Sequence, residues 1–141
     1  MNQIKLKKRP VGAVATLGRL GHPKVETPTG GAIAVVTGAS DPGFNPLDLL
    51  YSSLAACLAL STRIAASRMG VLDRFEDVSV HVTGEKSEQE PFRITRFDIR
   101  LHINGDFDAQ TRTALAHAAE EICTVSNTLR NDAEFALSVD G

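Results

Sequence analysis

Two cysteines, Cys57 and Cys123, are the residues of this chain best suited to chemistry. A cysteine thiolate attacks a peroxide oxygen to give a sulfenic acid, which a second thiol captures as a disulfide. The attacking thiol needs a cation that favours its thiolate, a resolving thiol within reach and a partly apolar pocket. Arg19 is the most suggestive cation, because Gly18-Arg19-Leu20-Gly21 reads as a tight turn presenting the guanidinium. The plainer reading stays open beside this one. Free cysteine is among the most buried residue types and packs as a small hydrophobe, so either thiol could be core and nothing more. Two cysteines alone make no zinc site, and His22, His81, His102 and His117 show no ligand spacing with them, so no metal and no cofactor are expected.

Asn45–Gly70 is the stretch that must position Cys57. Asn45 can cap a helix, Pro46 suits its first position, and Gly70 can end it with positive φ. From Leu47 to Leu60 the only charge is Asp48, and apolar or small side chains run nearly all the way round. That pattern predicts a long central helix buried on every side. Cys57 lies about three turns inside, beyond the reach of its own helix dipole, so a cation from elsewhere must lower its pKa.

The flanking segments read mostly as strands. Gln3–Lys7 alternates, Val11–Leu17 is a small-residue strand, His22–Gly31 reads as loop, and Ala32–Thr37 is apolar and β-branched. Val78, Val80 and Val82 share one face of a strand, followed by a charged hairpin loop over Gly84–Pro91. Phe92 and Ile94 keep one phase, while Phe97, Ile99, Leu101 and Ile103 keep the other, which predicts a bulge near Thr95-Arg96. Asp108 caps a second helix over Ala109–Ile122, with Cys123 at its end, and Phe135, Leu137 and Val139 alternate in a last strand. The order predicts one α+β domain over residues 1–141: N-terminal strands 1–44, central helix 45–70, and strand, helix and strand over 71–141.

Composition narrows the partners. A chain of 141 residues with 43% hydrophobic and 23% charged residues is an ordinary globular protein. A net charge of −2 gives no electrostatic case for nucleic acid, and the short basic run Lys5, Lys7, Lys8 and Arg9 reads as a solvated face. Asp48 and Arg63 bound a run of about 14 uncharged residues in the helix, short of the ~18 of a membrane span. Met1–Pro10 has no apolar core of an export signal, and the two thiols then point to the cytoplasm.

Three motifs carry a resemblance. Asn45-Pro46-Leu47-Asp48-Leu49-Leu50 with Ala55-Ala56-Cys57 resembles the helix motif of the OsmC/Ohr proteins (osmotically inducible protein C and organic hydroperoxide resistance protein). Cys123-Thr124-Val125-Ser126 is similar to that family's Cys-Pro-x-Ser, and Gly18-Arg19-Leu20-Gly21 to the Gly-Arg-Asp-Gly turn of its Ohr branch. The resemblance implies an intertwined α+β homodimer, with mainly antiparallel sheets around a long central helix, acting as a thiol-dependent peroxidase on organic hydroperoxides. Cys57 would match the peroxidatic cysteine, Cys123 the resolving one, and Arg19 the arginine that holds the thiolate. The implied reductant is a dithiol, a protein lipoyl group in the Ohr branch.

This chain departs from the pattern at two places. The glutamate that pairs with the arginine, ten residues before the first cysteine, is Leu47 here, and Asp48 is the acid left to orient Arg19. Thr124 stands where the family has proline. Leu50, Leu54 and Leu58 are the expected apolar lining for an alkyl or fatty peroxide. Leu47 also favours an alternative, a small-molecule-binding or redox-sensing dimer with little turnover, and inert core thiols in a structural dimer form a third reading.

Overall fold

Residues 8–141 are described by the computed structural model, in two units that divide between Leu49 and Leu50. The expected strand over Gln3–Lys7 lies outside the described residues, as does most of the basic run.

In the first unit, β1 (Val14–Thr16), β2 (Lys24–Glu26) and β3 (Ala32–Ala34) form an antiparallel sheet in that order, with Ala15 opposite Val25 and Val25 opposite Ile33. β2 falls where the sequence reads as loop. Pro23 sits just before its first residue, where a missing N–H costs the ladder nothing. The turn after it closes through Gly30, at φ 96°, with the Thr27 N–H donating to the Gly31 carbonyl (2.9 Å). The prolines and glycines that signalled a loop are therefore the punctuation around a very short strand. Arg19 stands exposed in the bend between β1 and β2, which Gly21 completes at φ 93°.

α1 (Pro46–Arg68) begins with a capping box: the Asp48 N–H donates to Asn45 Oδ1 (2.8 Å), and the Asn45 N–H donates to Asp48 Oδ2 (3.0 Å). It ends as expected at Gly70, φ 72°, where the Val71 N–H returns to the Ala66 carbonyl (2.9 Å). One face is buried, through Leu54, Leu58, Ser61, Thr62, Ala65 and Ala66. The expectation of burial on every side is corrected here: Leu60 and Ile64 are 54% and 42% exposed, because one hairpin and one further helix cover only part of the circumference. By length and composition alone α1 could also cross a membrane, despite the charges that bound its apolar run; the core helix of a soluble protein passes the same test.

In the second unit β4 (Phe75–Lys86) and β5 (Ile94–Gly105) form a long antiparallel hairpin. Glu85 pairs with Arg96 and Lys86 with Ile94, leaving Thr95 as the extra residue of the expected bulge. Its inward residues build two neighbouring clusters. Val78, Leu101 and Ile103 pack with Ala65, Ala66 and Leu115, while Val80, Val82 and Phe97 pack with Leu54, Leu58 and Cys123.

α2 (Ala109–Ile122) has the expected cap, with the Thr111 N–H donating to Asp108 Oδ1 (2.7 Å). Arg112 secures the turn before it by donating to the carbonyls of Ile103, Gly105 and Phe107. A short α3 (Thr124–Arg130) follows that no residue pattern announces, since its residues are mostly polar and show no apolar period. The expected last strand is absent: Phe135, Leu137 and Val139 are exposed and lie in no strand. Alternation marks a segment that fits a sheet, but a strand forms only where an edge accepts its backbone, and no such pairing occurs among the described residues. Among the described residues the architecture is α+β, with three α-helices and antiparallel sheets.

Candidate active site

Cys57 projects from the middle of α1, and Cys123 sits at the junction of α2 and α3. The fold brings them together. They approach to 3.0 Å as free thiols, well beyond the ~2.05 Å of a disulfide bond but close enough for one to donate to the other. Val80 and Val82 of β4, Phe97 of β5, and Leu54 and Leu58 of α1 enclose the pair in one apolar cluster.

The two sulfurs differ in exposure and in proton affinity. Cys57 is half-buried, and Cys123 is fully buried. Burial pushes the Cys57 thiol up, but hydrogen bonds outweigh it: the Val125 N–H, the Cys123 thiol, the Ser61 hydroxyl and the Thr124 N–H together bring it below an ordinary cysteine. For Cys123, burial and its bond to Cys57 both act upward, and the Ser126 N–H that reaches its sulfur at 3.3 Å only partly offsets them. The arrangement favours a proton on Cys123 and negative charge on Cys57.

α3 explains much of this. Cys123 is its N-cap residue, so the turn that closes over the sulfur also brings the Thr124 and Val125 N–H groups to Cys57. Sequence reasoning looked for a cation and missed these donors. Ser61 was the detectable one, since it lies four residues after Cys57 and therefore on the same helix face.

The other expected site residues are placed as follows. Arg19 is exposed on its bend in the first unit and makes no ion pair among the described residues. Asp48 has Asn45 as its partner, and its carboxylate serves the start of α1. Leu54 and Leu58 are buried beside the thiols, and Leu50 is half-buried. Leu54 also lines a cleft of about 230 Å³ with Phe97, Ile99 and Leu129, and Leu58 lines one of about 170 Å³ with Ile99, Leu101 and His117. Glu120 borders both clefts and is ion-paired with Arg130. Among the described residues no cluster of His, Cys, Asp and Glu could hold a metal ion.

Known proteins share this arrangement of elements. An organic hydroperoxide resistance protein OsmC from Legionella pneumophila is 25% identical, with 89% of this chain and 92% of that chain covered at a TM-score of 0.73. An organic hydroperoxide resistance protein from Elizabethkingia anophelis is 20% identical, with 92% and 93% covered at a TM-score of 0.73. OhrB of Bacillus subtilis, also an organic hydroperoxide resistance protein, is 22% identical, with 86% and 90% covered at a TM-score of 0.63. No curated protein matches the sequence. The family model described as OsmC-like protein matches residues 38–138, a span that holds both cysteines and every helix among the described residues, and the chain belongs to the OsmC-like family.

Proposed function

We propose that this protein is a thiol-dependent peroxidase that reduces organic hydroperoxides with Cys57 and Cys123. The observation that carries the reading is the contact between a half-buried sulfur whose pKa is lowered and a buried one whose pKa is raised. The thiolate of Cys57 attacks the outer peroxide oxygen, forming an S–O bond as the O–O bond breaks. The alkoxide leaves and takes up a proton to become the alcohol, with Cys57 left as sulfenic acid. Cys123 then gives up its proton and attacks the Cys57 sulfur, and water departs as the disulfide forms. Two thiols and one hydroperoxide thus yield a disulfide, an alcohol and water. An external dithiol, such as a protein lipoyl group, returns the pair to the reduced state.

Arg19 is assigned as the cation that assists the thiolate and polarises the peroxide, with Asp48 as the acid that would orient it. Leu50, Leu54 and Leu58 are assigned to an apolar lining that favours alkyl over hydrogen peroxide. A homodimer is the proposed assembly, supported by the uncovered side chains of Leu60 and Ile64 on α1. Two free thiols fit a reducing compartment, and the cytoplasm is the proposed location. The relatives named above support the peroxide class through their description as organic hydroperoxide resistance proteins.

The test is mass spectrometry of reduced protein after one equivalent of cumene hydroperoxide. The expected product has lost two hydrogens and yields linked peptides containing Cys57 and Cys123; unchanged thiols after prolonged exposure would reject the reading. A second reading, a binding or redox-sensing dimer with little turnover, draws on Leu47 at the family's acid position and on Asp48 being occupied by its cap. It predicts one round of oxidation without sustained consumption when a dithiol is supplied.

A further inference from the structure

Serine and threonine inside a helix commonly return their hydroxyls to a carbonyl one turn back. Two residues of α1 do so: Ser53 donates to the Leu50 carbonyl (2.8 Å), and buried Thr62 donates to that of Leu58 (2.7 Å). Ser61 is 3% exposed, in a helix face otherwise made of leucine, alanine and that one threonine. A hydroxyl this deep requires a partner. The four-residue spacing sets it beside the sulfur of Cys57 on the same face of α1, and donation from its hydroxyl is among the influences that hold that thiol's pKa down.

We infer that Ser61 is a further functional residue of the site, whose hydroxyl donates to the Cys57 thiolate and holds the sulfur ready for attack. A hydroxyl that serves a sulfur which gains and loses charge acts differently from one that only satisfies a carbonyl. Its bond strengthens as the thiolate forms, because a hydrogen bond to a charged acceptor is about twice as strong as one to a neutral group. The surroundings leave this donor exposed to test. Cys57 packs against a cluster that includes Val80 and Val82 from β4, Phe97 from β5 and Val125 from α3, and the other titratable groups in that cluster are the Cys123 thiol and the Tyr51 phenol. Ser61 is thus the one hydroxyl-bearing serine or threonine side chain among the donors to Cys57, alongside the Cys123 thiol and two backbone amides.

The inference rests on Cys57 being the attacking thiol, but its test does not need peroxide turnover. In a Cys123→Ser background, the rate of Cys57 alkylation by iodoacetamide is followed against pH for Ser61, Ser61→Ala and Ser61→Thr. Removing the hydroxyl is expected to move the midpoint upward and to slow alkylation at pH 7 about tenfold, with the plateau at high pH unchanged. Ser61→Thr, which keeps a hydroxyl, is expected to restore the midpoint. Should the alanine variant fail to fold, Ser61→Val, which has the shape of the threonine variant without its hydroxyl, carries the same expectation. A folded variant without the hydroxyl that keeps the parent midpoint overturns the assignment, whatever the peroxidase assay gives. A purely structural serine would lower the melting temperature and leave the midpoint in place.

Discussion

Cys57 and Cys123 are the same residue in one apolar cluster, and the backbone around them makes them unlike. Cys57 sits within an unbroken helix whose own amides are committed to carbonyls four residues back. It therefore draws its donors from outside, from Val125 and Thr124 at the start of α3 and from side chains beside it. Cys123 sits at a break between helices and spends its sulfur on capping, accepting from the Ser126 N–H. Burial alone would raise both thiols; the supply of donors separates them. The difference teaches that a chain can prepare a thiolate with hydrogen bonds from uncommitted amides as well as with a neighbouring charge.

The largest break in this comparison comes from exchanging the sulfurs for oxygens one at a time. Cys57→Ser is expected to abolish consumption of cumene hydroperoxide, to the level of protein-free buffer. Cys123→Ser is expected to allow one equivalent of oxidation and then stall, with Cys57 held as sulfenic acid or carried to sulfinic acid. Dimedone trapping followed by mass spectrometry reads both. Sustained turnover in either variant would contradict the division of roles.

A narrower change sharpens it. Thr124 is the first residue of α3, where proline is favoured, and Cys123 before it is already extended at φ −65° and ψ 108°, which a following proline accepts. Thr124→Pro therefore removes one N–H from Cys57 without breaking the fold. Cys57 alkylation at neutral pH is expected to fall roughly three- to tenfold and to recover at higher pH. The family's own proline at this position makes the variant a test of what the threonine adds. An unchanged pH profile would show that the Thr124 amide contributes nothing to the thiolate.

The pH dependence of the two thiols should separate in the unaltered protein. Alkylation of Cys57 is expected to rise through a midpoint below that of a free cysteine, since its thiolate is favoured. Cys123 should react only at higher pH and after Cys57, because burial and the neighbouring sulfur both disfavour its charge. Peptide mapping after graded alkylation orders the two, and a Cys123 that reacts first would reverse the comparison.

How much of this was legible depends on whether a signal was local. The caps at Asn45 and Asp108, the end at Gly70 and the bulge at Thr95 each follow from a few adjacent residues, and each stands where the pattern put it. The second cluster residue, Cys123, could be named from its motif, but its distance from Cys57 depends on how α1, the hairpin and α2 pack. α3 was invisible because its stability comes from a sulfur cap and tertiary contacts instead of an apolar stripe. Phe135, Leu137 and Val139 failed in the opposite way: their alternation is a real strand signal, and no edge among the described residues answers it. The donors to Cys57 include two backbone amides, which no side-chain pattern records.

The smallest expected effect lies at the end of α2 away from Cys123. Hydrogen bonds from the Thr111 hydroxyl and N–H hold the Asp108 carboxyl below its ordinary pKa, helped by the charges of Arg74 and Arg112. A carboxylate with a depressed folded pKa contributes stability that is present above the unfolded pKa and is lost as pH falls through the folded value. Asp108→Asn keeps a capping oxygen but removes the titration. Melting temperature measured downward from pH 5 should therefore fall less steeply in the variant than in the parent, while the two agree in their Cys57 alkylation midpoint. Equal acid slopes would mean that the Asp108 charge adds nothing to the cap. A shifted midpoint would mean that the start of α2 and the thiols at its far end are linked, and the asymmetry between the sulfurs would then depend on the whole helix and not on the α2–α3 junction alone.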